Sequence, residues 1–208
     1  MVEVWHIRHG ESEANAGLAT ENPPDVALTK LGHDQAYKTS LAFKQPPTLI
    51  VTSKYKRAMQ TAQYTMDRFP NVPVETWDVH EFTYLSYAVI GKTTMQERRP
   101  IVQAYWERSD PAYIHGEDAE SFEGFIHRIK KTEEQILAKE DQFIAIFSHG
   151  FVMKAILWAH LLGSFEAITM DNFHTFQKSF DMPNCAIFQA EYRSEATLFS
   201  GLSTVHLK

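Results

Sequence analysis

The sequence predicts an α/β fold, a three-layer αβα sandwich built on a mostly parallel central sheet. Three short segments are apolar and rich in branched or aromatic residues, which is typical of buried strands. Their hydrophobicity is nearly continuous, which favours the interior of a parallel sheet over a half-exposed antiparallel one. Segments with helical periodicity separate them, so strands and helices alternate along the chain. The three strands are predicted at Val2–Ile7, Thr48–Ser53 and Gln142–Ser148.

Two further strands and four helices complete this predicted order. Weaker strand patterns occur at Val72–Trp77 and Cys185–Tyr192. In the segment Ser121–Lys139, apolar residues fall on one helical face and charged residues on the opposite face, which is typical of a helix packed against a sheet. The four helices are predicted at Lys30–Phe43, Lys54–Phe69, Ser121–Lys139 and Gly150–Leu162.

Residues 82–118 are the irregular part of the chain. They mix aromatic residues with glycine and proline, and their one helical pattern covers Thr94–Arg108. We expect this segment to be a lid-like insertion over the active-site edge of the sheet and not a separate domain. Because 208 residues suit one compact unit, the prediction is a single domain over residues 1–208.

Composition and charge argue against several classes of protein. The net charge is −6 and the pI is near 5.9, whereas nucleic-acid binders usually carry a basic surface. The apolar runs are far shorter than a membrane span and the N-terminus lacks a leader pattern, so we expect a cytoplasmic protein that binds neither membrane nor nucleic acid. The one cysteine, Cys185, cannot form a disulfide within the chain. The ten histidines show no paired ligand pattern, so no metal is expected.

Basic and imidazole side chains follow three of the predicted strands at the point where each strand ends. Arg8 and His9 follow the first strand, Arg57 lies at the start of the helix after the second, and His149 follows the third. The carboxyl ends of parallel strands share one edge of a sheet, where ligands bind. Two arginines and two histidines would therefore meet there, beside helix N-termini whose unpaired N–H groups favour an anion.

A phosphate monoester fits this predicted cluster. It carries about −1.5 to −2 charge at neutral pH and several acceptor oxygens, and each arginine offers a planar fork of five donors. Neighbouring guanidinium groups would repel a metal cation from the two imidazoles. The cluster therefore indicates phosphate chemistry.

Four motifs in this chain resemble those of the histidine phosphatase superfamily, which contains cofactor-dependent phosphoglycerate mutases and many small phosphatases. They are RHGESEAN at residues 8–15, LTKLG at 28–32, SKYKRAMQTA at 53–62 and SHG at 148–150. They occur in the family's order, and the resemblance spans about residues 2–190. Lys54 and Tyr55 depart from the pattern, which more usually has proline and leucine at these positions.

The resemblance implies a role for each matching residue. His9 would attack phosphorus and form a phosphohistidine, while Arg8, Arg57 and His149 hold the phosphate oxygens. Glu81 would protonate the leaving oxygen and then help a water molecule to attack the phosphohistidine. No metal or organic cofactor is implied. Further phosphate- or substrate-binding residues are expected at Ser12, Asn15, Gly150 and Tyr84.

Several residue assignments have alternatives. Arg98 and Arg99 could reach a substrate anion or could simply be solvated, and the aromatic residues of the 82–118 segment could line a pocket or pack that segment on the sheet. Three residues are alternatives to Glu81 as the acid: Asp78, His80 and Glu11. The histidines outside the motifs are expected to have surface or packing roles: His33, His115, His160 and His174.

The sequence around Glu81 favours a phosphatase over a mutase. The mutases carry Glu-Arg-His-Tyr-Gly at the acid and are typically longer, whereas this chain reads Glu81-Phe82-Thr83-Tyr84-Leu85. We therefore predict a phosphomonoesterase that hydrolyses a small phosphorylated metabolite through a phosphohistidine on His9. The alternatives are mutase-type phosphoryl transfer, a phosphohistidine-protein phosphatase, a non-catalytic phosphate-binding module and a metal-dependent hydrolase. A homodimer is left open.

Overall fold

A six-stranded mixed sheet forms the centre of the computed structural model, which describes residues 1–19, 22–91, 93–140, 142–193 and 196–208. The strands lie in the order β3-β2-β4-β1-β5-β6. The first four of this order run parallel, and β5 and β6 run antiparallel at the other edge. The strands are β1 Val2–Arg8, β2 Leu49–Ser53, β3 Val74–Trp77, β4 Phe143–Ser148, β5 Ile187–Tyr192 and β6 Thr197–Phe199.

Helices cover both faces of this sheet, so the predicted three-layer α/β fold is confirmed. The helices are α1 Lys30–Ala42, α2 Lys56–Arg68, α3 Tyr87–Ile90, α4 Met95–Arg108, α5 Phe122–Leu137, α6 Gly150–Leu162 and α7 Met170–Ser179. Short 3₁₀ turns occur at Pro23–Asp25, Phe165–Ala167 and Val205–Leu207.

The burial of strand β4 explains why the sequences of the central strands are continuously apolar. All its residues are buried, but alternate side chains enter different cores. Ile144 and Ile146 pack with residues of α5 and α6 on one face. Ala145 and Phe147 pack with residues around α1 and α2 on the other face. A strand buried on both faces has no polar alternation, which is the pattern from which a parallel interior was predicted.

Each predicted strand and helix is present, with no end shifted by more than two residues, but three strands or helices of the described residues were not predicted. The helix α7 begins at a capping box in which Thr169 and Asn172 bond each other's backbone N–H groups. The strand β6 is three residues long and pairs with β5 at one edge of the sheet, and α3 is a single turn. Elements this short carry too few residues for a periodic pattern.

The segment of residues 82–118 packs over the carboxyl edge of the sheet through its aromatic side chains; residue 92 lies outside the described residues. Phe82 stacks on Phe125 of α5 with ring centroids 4.5 Å apart, and Tyr105 and Trp106 of α4 are buried in the same core. These side chains therefore pack the segment onto the sheet. That the segment acts as a lid stays a prediction.

None of the helices in the described parts of the chain is both long and apolar enough to cross a membrane.

Candidate active site

The candidate site lies where β1, β2 and β4 end. These strands are neighbours in the sheet and parallel, and Arg8 at the end of β1 is paired with Ser148 at the end of β4. Their carboxyl ends therefore lie along one edge, as the sequence predicted. His9 follows β1, His149 caps α6, and Arg57 lies in the first turn of α2.

The imidazole of His9 is buried and held by both ring nitrogens. Its Nε2 lies 3.1 Å from the Nε of Arg57, which can only donate, so Nε2 is the unprotonated acceptor. Its Nδ1 then carries the hydrogen and donates to the carbonyl oxygen of Gly10 at 2.7 Å. Burial, followed by the charges of Arg57 and Arg8, holds the pKa of His9 well below its usual value. The ring is therefore neutral, with its lone pair on Nε2.

Two positively charged side chains, Arg57 and Arg8, lie beside the neutral imidazole of His9. Besides its bond to His9, Arg57 donates through Nη1 to the carbonyl of Pro23 at 2.8 Å. Arg8 donates through Nη1 to the carbonyl of Met182, just before β5, and its Nε is buried without a hydrogen-bond partner among the described residues. Burial is the largest effect on the pKa of both guanidinium groups and lowers it. An anion bound here would offset the cost of burying these charges.

The second imidazole, His149, presents another unpaired buried nitrogen. Its Nε2 lies 2.9 Å from the hydroxyl oxygen of Ser53 at the end of β2, and its ring centroid lies 5.1 Å from that of His9. Its Nδ1 has no partner within the described part of the chain. Burial and the charge of Arg57 hold the pKa of His149 well below its usual value. A buried ring nitrogen without a protein partner is available to bond a ligand that enters the site.

Glu81 reaches this group from the loop after β3. Its Oε1 accepts the backbone N–H groups of Phe82 and Phe151, both at 3.1 Å. Burial raises the pKa of Glu81, with Arg57 and Arg8 opposing the rise. A Cβ built on Gly150 would lie 3.9 Å from Oε2 of Glu81 and 3.6 Å from Nε of Arg8, so the glycine lets both groups approach the start of α6. Oε2 is thus the carboxyl oxygen that faces the cluster.

The three alternatives to Glu81 lie in less suitable environments. Burial lowers the pKa of His80 to about 3, so its ring is neutral at physiological pH and cannot serve as a ready proton donor. The side chain of Asp78 is 76% exposed and lies beside His80. Glu11 accepts the hydroxyl of Thr29 at 2.7 Å, at the cap of α1. The geometry therefore favours Glu81 as the carboxyl group of the cluster.

An ion pair that the sequence analysis missed holds the Glu81 loop in place. Arg128 of α5 pairs with Glu120 at 2.7 Å and donates to the backbone carbonyls of Asp78 and Glu81. Glu120 in turn accepts the backbone N–H of Thr83 at 3.1 Å. The pair therefore fixes the backbone on both sides of the Glu81 carboxyl.

Tyr55 is a second residue that the sequence analysis noted only as a departure from the family pattern. It is buried, its ring meets that of His149 edge-on at 5.3 Å, and the guanidinium of Arg57 lies 5.0 Å from its ring centroid. Its hydroxyl lies 3.0 Å from that of Thr83 and 3.1 Å from that of Tyr87. One side chain thus touches two basic residues of the cluster and anchors the 82–118 segment.

The loop after His9 lies directly against the start of α1. A Cβ built on Gly10 would lie 2.5 Å from the carbonyl oxygen of Gly32, and one built on Gly32 would lie 2.0 Å from the carbonyl oxygen of Glu11. Any side chain at either position would force the two backbones apart. This contact explains why the LTKLG segment accompanies the RHG segment in this chain.

The remaining predicted binding residues lie at different distances from the cluster. Asn15 is exposed at its edge, and its amide oxygen accepts from the hydroxyl of Ser12 at 3.1 Å and from the amide of Asn184 at 3.0 Å. The Asn15 amino group is then the part that can donate to a ligand, while Ser12 is buried and supports it. Tyr84 lies outside the cluster and lines a neighbouring cavity.

No group of three or more histidine, cysteine, aspartate or glutamate side chains suited to a metal ion occurs among the residues that the structure describes.

Comparison with known proteins places the chain in a family. The family model described as "Histidine phosphatase superfamily (branch 1)" matches residues 4–202. A glucosyl-3-phosphoglycerate phosphatase of Mycolicibacterium vanbaalenii is 40% identical over 63 residues, which cover 30% of this chain and 28% of that protein. An adenosylcobalamin/alpha-ribazole phosphatase of Salmonella typhimurium is 28% identical over 174 residues, covering 77% of this chain and 80% of that protein.

Two further similarities extend this picture. A 2,3-bisphosphoglycerate-dependent phosphoglycerate mutase of Corynebacterium jeikeium is 24% identical over 182 residues, covering 73% of this chain and 72% of that protein. Among solved structures, an alpha-ribazole phosphatase of Shigella flexneri superposes with a TM-score of 0.76 at 19% identity, covering 97% of this chain and 96% of that one. At this identity the superposition shows a shared fold.

Proposed function

The chain belongs to the histidine phosphatase superfamily, and we propose that it is a phosphomonoesterase that hydrolyses a small phosphorylated metabolite through a phosphohistidine on His9. One observation carries the proposal. The Nε2 lone pair of His9 is held by Arg57 at 3.1 Å, beside two unpaired buried groups, Nε of Arg8 and Nδ1 of His149, and the partly buried carboxyl of Glu81.

In the first step, the Nε–H of Arg57 turns from His9 to a phosphate oxygen, which frees the lone pair of Nε2. Nε2 of His9 then attacks phosphorus and the ester P–O bond breaks. The proton on Oε2 of Glu81 passes to the leaving oxygen, so the alcohol departs neutral. Arg8 and Arg57 donate to the equatorial phosphate oxygens and stabilise the charge that is spread over them. With the Ser53 hydroxyl donating to Nε2 of His149, the Nδ1–H of that ring is a third donor.

In the second step, the carboxylate of Glu81 takes a proton from a water molecule, and the water oxygen attacks the phosphohistidine. The N–P bond breaks, inorganic phosphate is released, and Glu81 is again protonated. The same carboxyl group therefore serves both half-reactions, which requires a pKa above that of an ordinary glutamate. Burial of Glu81 acts in this direction.

Relatives with phosphatase names support hydrolysis over transfer. The mutase relative keeps mutase-type transfer as a second candidate. Against it, Phe82 and Thr83 stand where the mutases have arginine and histidine, and Phe82 is packed into the core with Phe125. No charged side chain directly after Glu81 is then available to hold an acidic substrate. A cytoplasmic location stays a prediction, and a homodimer stays open.

The proposal is tested by following inorganic phosphate release from a panel of alkyl phosphates, together with ³²P transfer to the protein. We expect a phosphoenzyme that is labile in acid and stable in base, and we expect His9→Ala to abolish both the phosphoenzyme and the release. His127→Ala is the matched control, since His127 is exposed on α5. Normal turnover by His9→Ala would exclude His9 as the nucleophile.

Two further measurements separate the alternatives. Phosphoryl transfer between positions of phosphoglycerate without phosphate release would identify a mutase. Retention of activity in EDTA is expected, and loss of activity that a divalent ion restores would instead identify a metal-dependent hydrolase.

A further inference from the structure

A cavity of about 930 Å³ opens beside the candidate active site. It lies between the loop after Glu81, helix α4, the start of α6 and helix α7. This volume is in the range of sites that enclose a whole small molecule. The phosphate cluster does not need this space, because its donors converge at the ends of β1, β2 and β4.

The cavity lies next to the residues that hold the proposed acid. The backbone N–H groups that hold Oε1 of Glu81 belong to Phe82 and Phe151, and both of these residues line the cavity. Tyr84 lines it as well. The pKa of Tyr84 is raised to about 12, mainly by burial; the charge of Arg98 lowers this pKa and the charge of Glu81 raises it. Tyr84 therefore lies within electrostatic reach of the proposed acid and of Arg98. A group attached to the leaving oxygen at Glu81 would extend into this space.

Flat aromatic side chains form one wall of the cavity. The ring of Tyr84 lies 5.8 Å from that of Trp106 and 6.1 Å from that of Phe151. The rings of Trp106 and Phe151 are nearly parallel, with an interplanar angle of 17°, and His174 of α7 stacks on Trp106 at 4.6 Å. Rings fixed against one another in this way give a rigid wall for another ring.

The lining of the cavity carries net positive charge. Among the described lining residues, three are permanently basic, Arg98, Arg99 and Lys178, and one is acidic, Glu107. Arg98 is half-buried, and one of its guanidinium nitrogens donates to the carbonyl of Ile90 at 3.3 Å. Its remaining N–H groups can donate to an anion.

We infer that this cavity holds the alcohol part of the substrate, and that this alcohol bears a flat, mainly apolar ring with an acidic group at its far end. The ring packs against Tyr84 and Phe151, and the acidic group is bound by Arg98. This inference rests on the proposed function, because it takes the phosphate of the same molecule to lie at His9.

The test uses three phosphonates that cannot be hydrolysed, so that binding is measured without turnover. They are methylphosphonate, benzylphosphonate and 4-carboxybenzylphosphonate, and titration calorimetry gives their affinities for the wild-type protein. Burial of the ring should improve affinity by about 10- to 100-fold over methylphosphonate. The carboxylate should make 4-carboxybenzylphosphonate bind about fivefold more tightly than benzylphosphonate. The gain is modest because Arg98 is only half-buried.

Variants then assign these gains to residues. Arg98→Gln should remove the gain from the carboxylate and leave the gain from the ring. Arg108→Gln, on the same helix and outside the cavity, is the matched control. Tyr84→Ala should reduce the gain from the ring, with a thermal melt to check folding. If Tyr84→Ala fails to fold, the affinities of the wild-type protein for the three phosphonates still test whether the cavity binds a ring.

Equal affinities for methylphosphonate and benzylphosphonate would show that the cavity does not bind the ring. If Arg98→Gln still bound 4-carboxybenzylphosphonate more tightly than benzylphosphonate by the wild-type factor, Arg98 would not bind the acidic group. The corresponding phosphate esters test the proposed function separately. If the phosphonates bind as expected but no phosphate is released from any ester, the proposed function is wrong and the binding site stands.

Discussion

Replacing Glu81 by glutamine removes one proton from the candidate site and little else. In the wild-type protein Oε1 accepts two backbone N–H groups, from Phe82 and Phe151, so it must be a bare oxygen. The amide oxygen of glutamine can accept the same two bonds. The amino group then takes the place of Oε2, which is the oxygen that faces Gly150 and Arg8. We therefore expect Glu81→Gln to fold normally.

The size of the effect depends on the leaving group. Benzyl or alkyl phosphates expel a strongly basic alkoxide, and loss of the general acid should slow formation of the phosphoenzyme by about 10²–10⁴-fold. This corresponds to about 2.7–5.4 kcal/mol of activation free energy. A nitrophenyl phosphate expels a stable phenolate and should be slowed much less. Phosphate binding should not weaken, because the variant removes a carboxyl group that lies beside the anion site.

Single-turnover experiments with each substrate isolate the first step from hydrolysis of the phosphoenzyme. Glu11→Gln is the control. Glu11 lies two residues after the nucleophile but bonds the hydroxyl of Thr29 at 2.7 Å, so its loss should change neither substrate's rate by more than about threefold. If Glu81→Gln slowed both substrates equally, Glu81 would be positioning the substrate and not donating a proton.

Three other outcomes are expected. Vanadate should inhibit competitively with substrate, because it offers oxygens to the same donors of Arg8 and Arg57; inhibition that excess substrate does not relieve would contradict the shared site. Tyr55→Phe keeps the ring against His149 but loses both hydroxyl contacts, so KM should rise about two- to tenfold with little change in kcat, as steady-state kinetics would show. Buried His6 has a pKa lowered from 6.5 to about 3, so the unfolded state takes up its proton first and stability falls as pH drops below about 6.5. Urea unfolding gives the free energy of unfolding at pH 7 and at pH 5. Between these two pH values, this free energy should fall by about 2 kcal/mol less in His6→Phe than in the wild-type protein.

The parts of the fold and site that could be predicted are those set by local sequence. The continuous apolar run at Phe143–Ser148 indicated a buried parallel strand, and His149 at its end was assigned to the sheet edge where it lies. The start of α7 also carried a local signal, since Thr169 and Asn172 form a capping box. Together with the apolar residues Met170, Phe173 and Phe176 at helical spacing, that signal was sufficient to predict the helix.

The parts that could not be predicted depend on contacts between distant segments. The acceptor for Arg8 is the backbone carbonyl of Met182, and any residue type could supply it. Tyr55 reads in the sequence as a departure from a motif, and only packing brings its hydroxyl to Thr83 and Tyr87. The positions of Arg128 and Glu120 in the sequence give no sign that this ion pair contacts the loop that carries Glu81. Backbone partners and cross-segment bonds of this kind are fixed by the assembled fold.

The contact between Arg8 and Met182 has a consequence for how the protein is made. During synthesis, His9 is made some 175 positions before the carbonyl that holds Arg8 and the amide of Asn184 that holds the His9 backbone. Until β5 has emerged and joined β1, the growing chain carries His9 without a finished anion pocket. Pairings this distant in sequence form slowly and late. We therefore expect enzymatic activity to appear in one step once β5 has been made and paired with β1, so that shorter nascent chains neither bind nor consume phosphorylated metabolites.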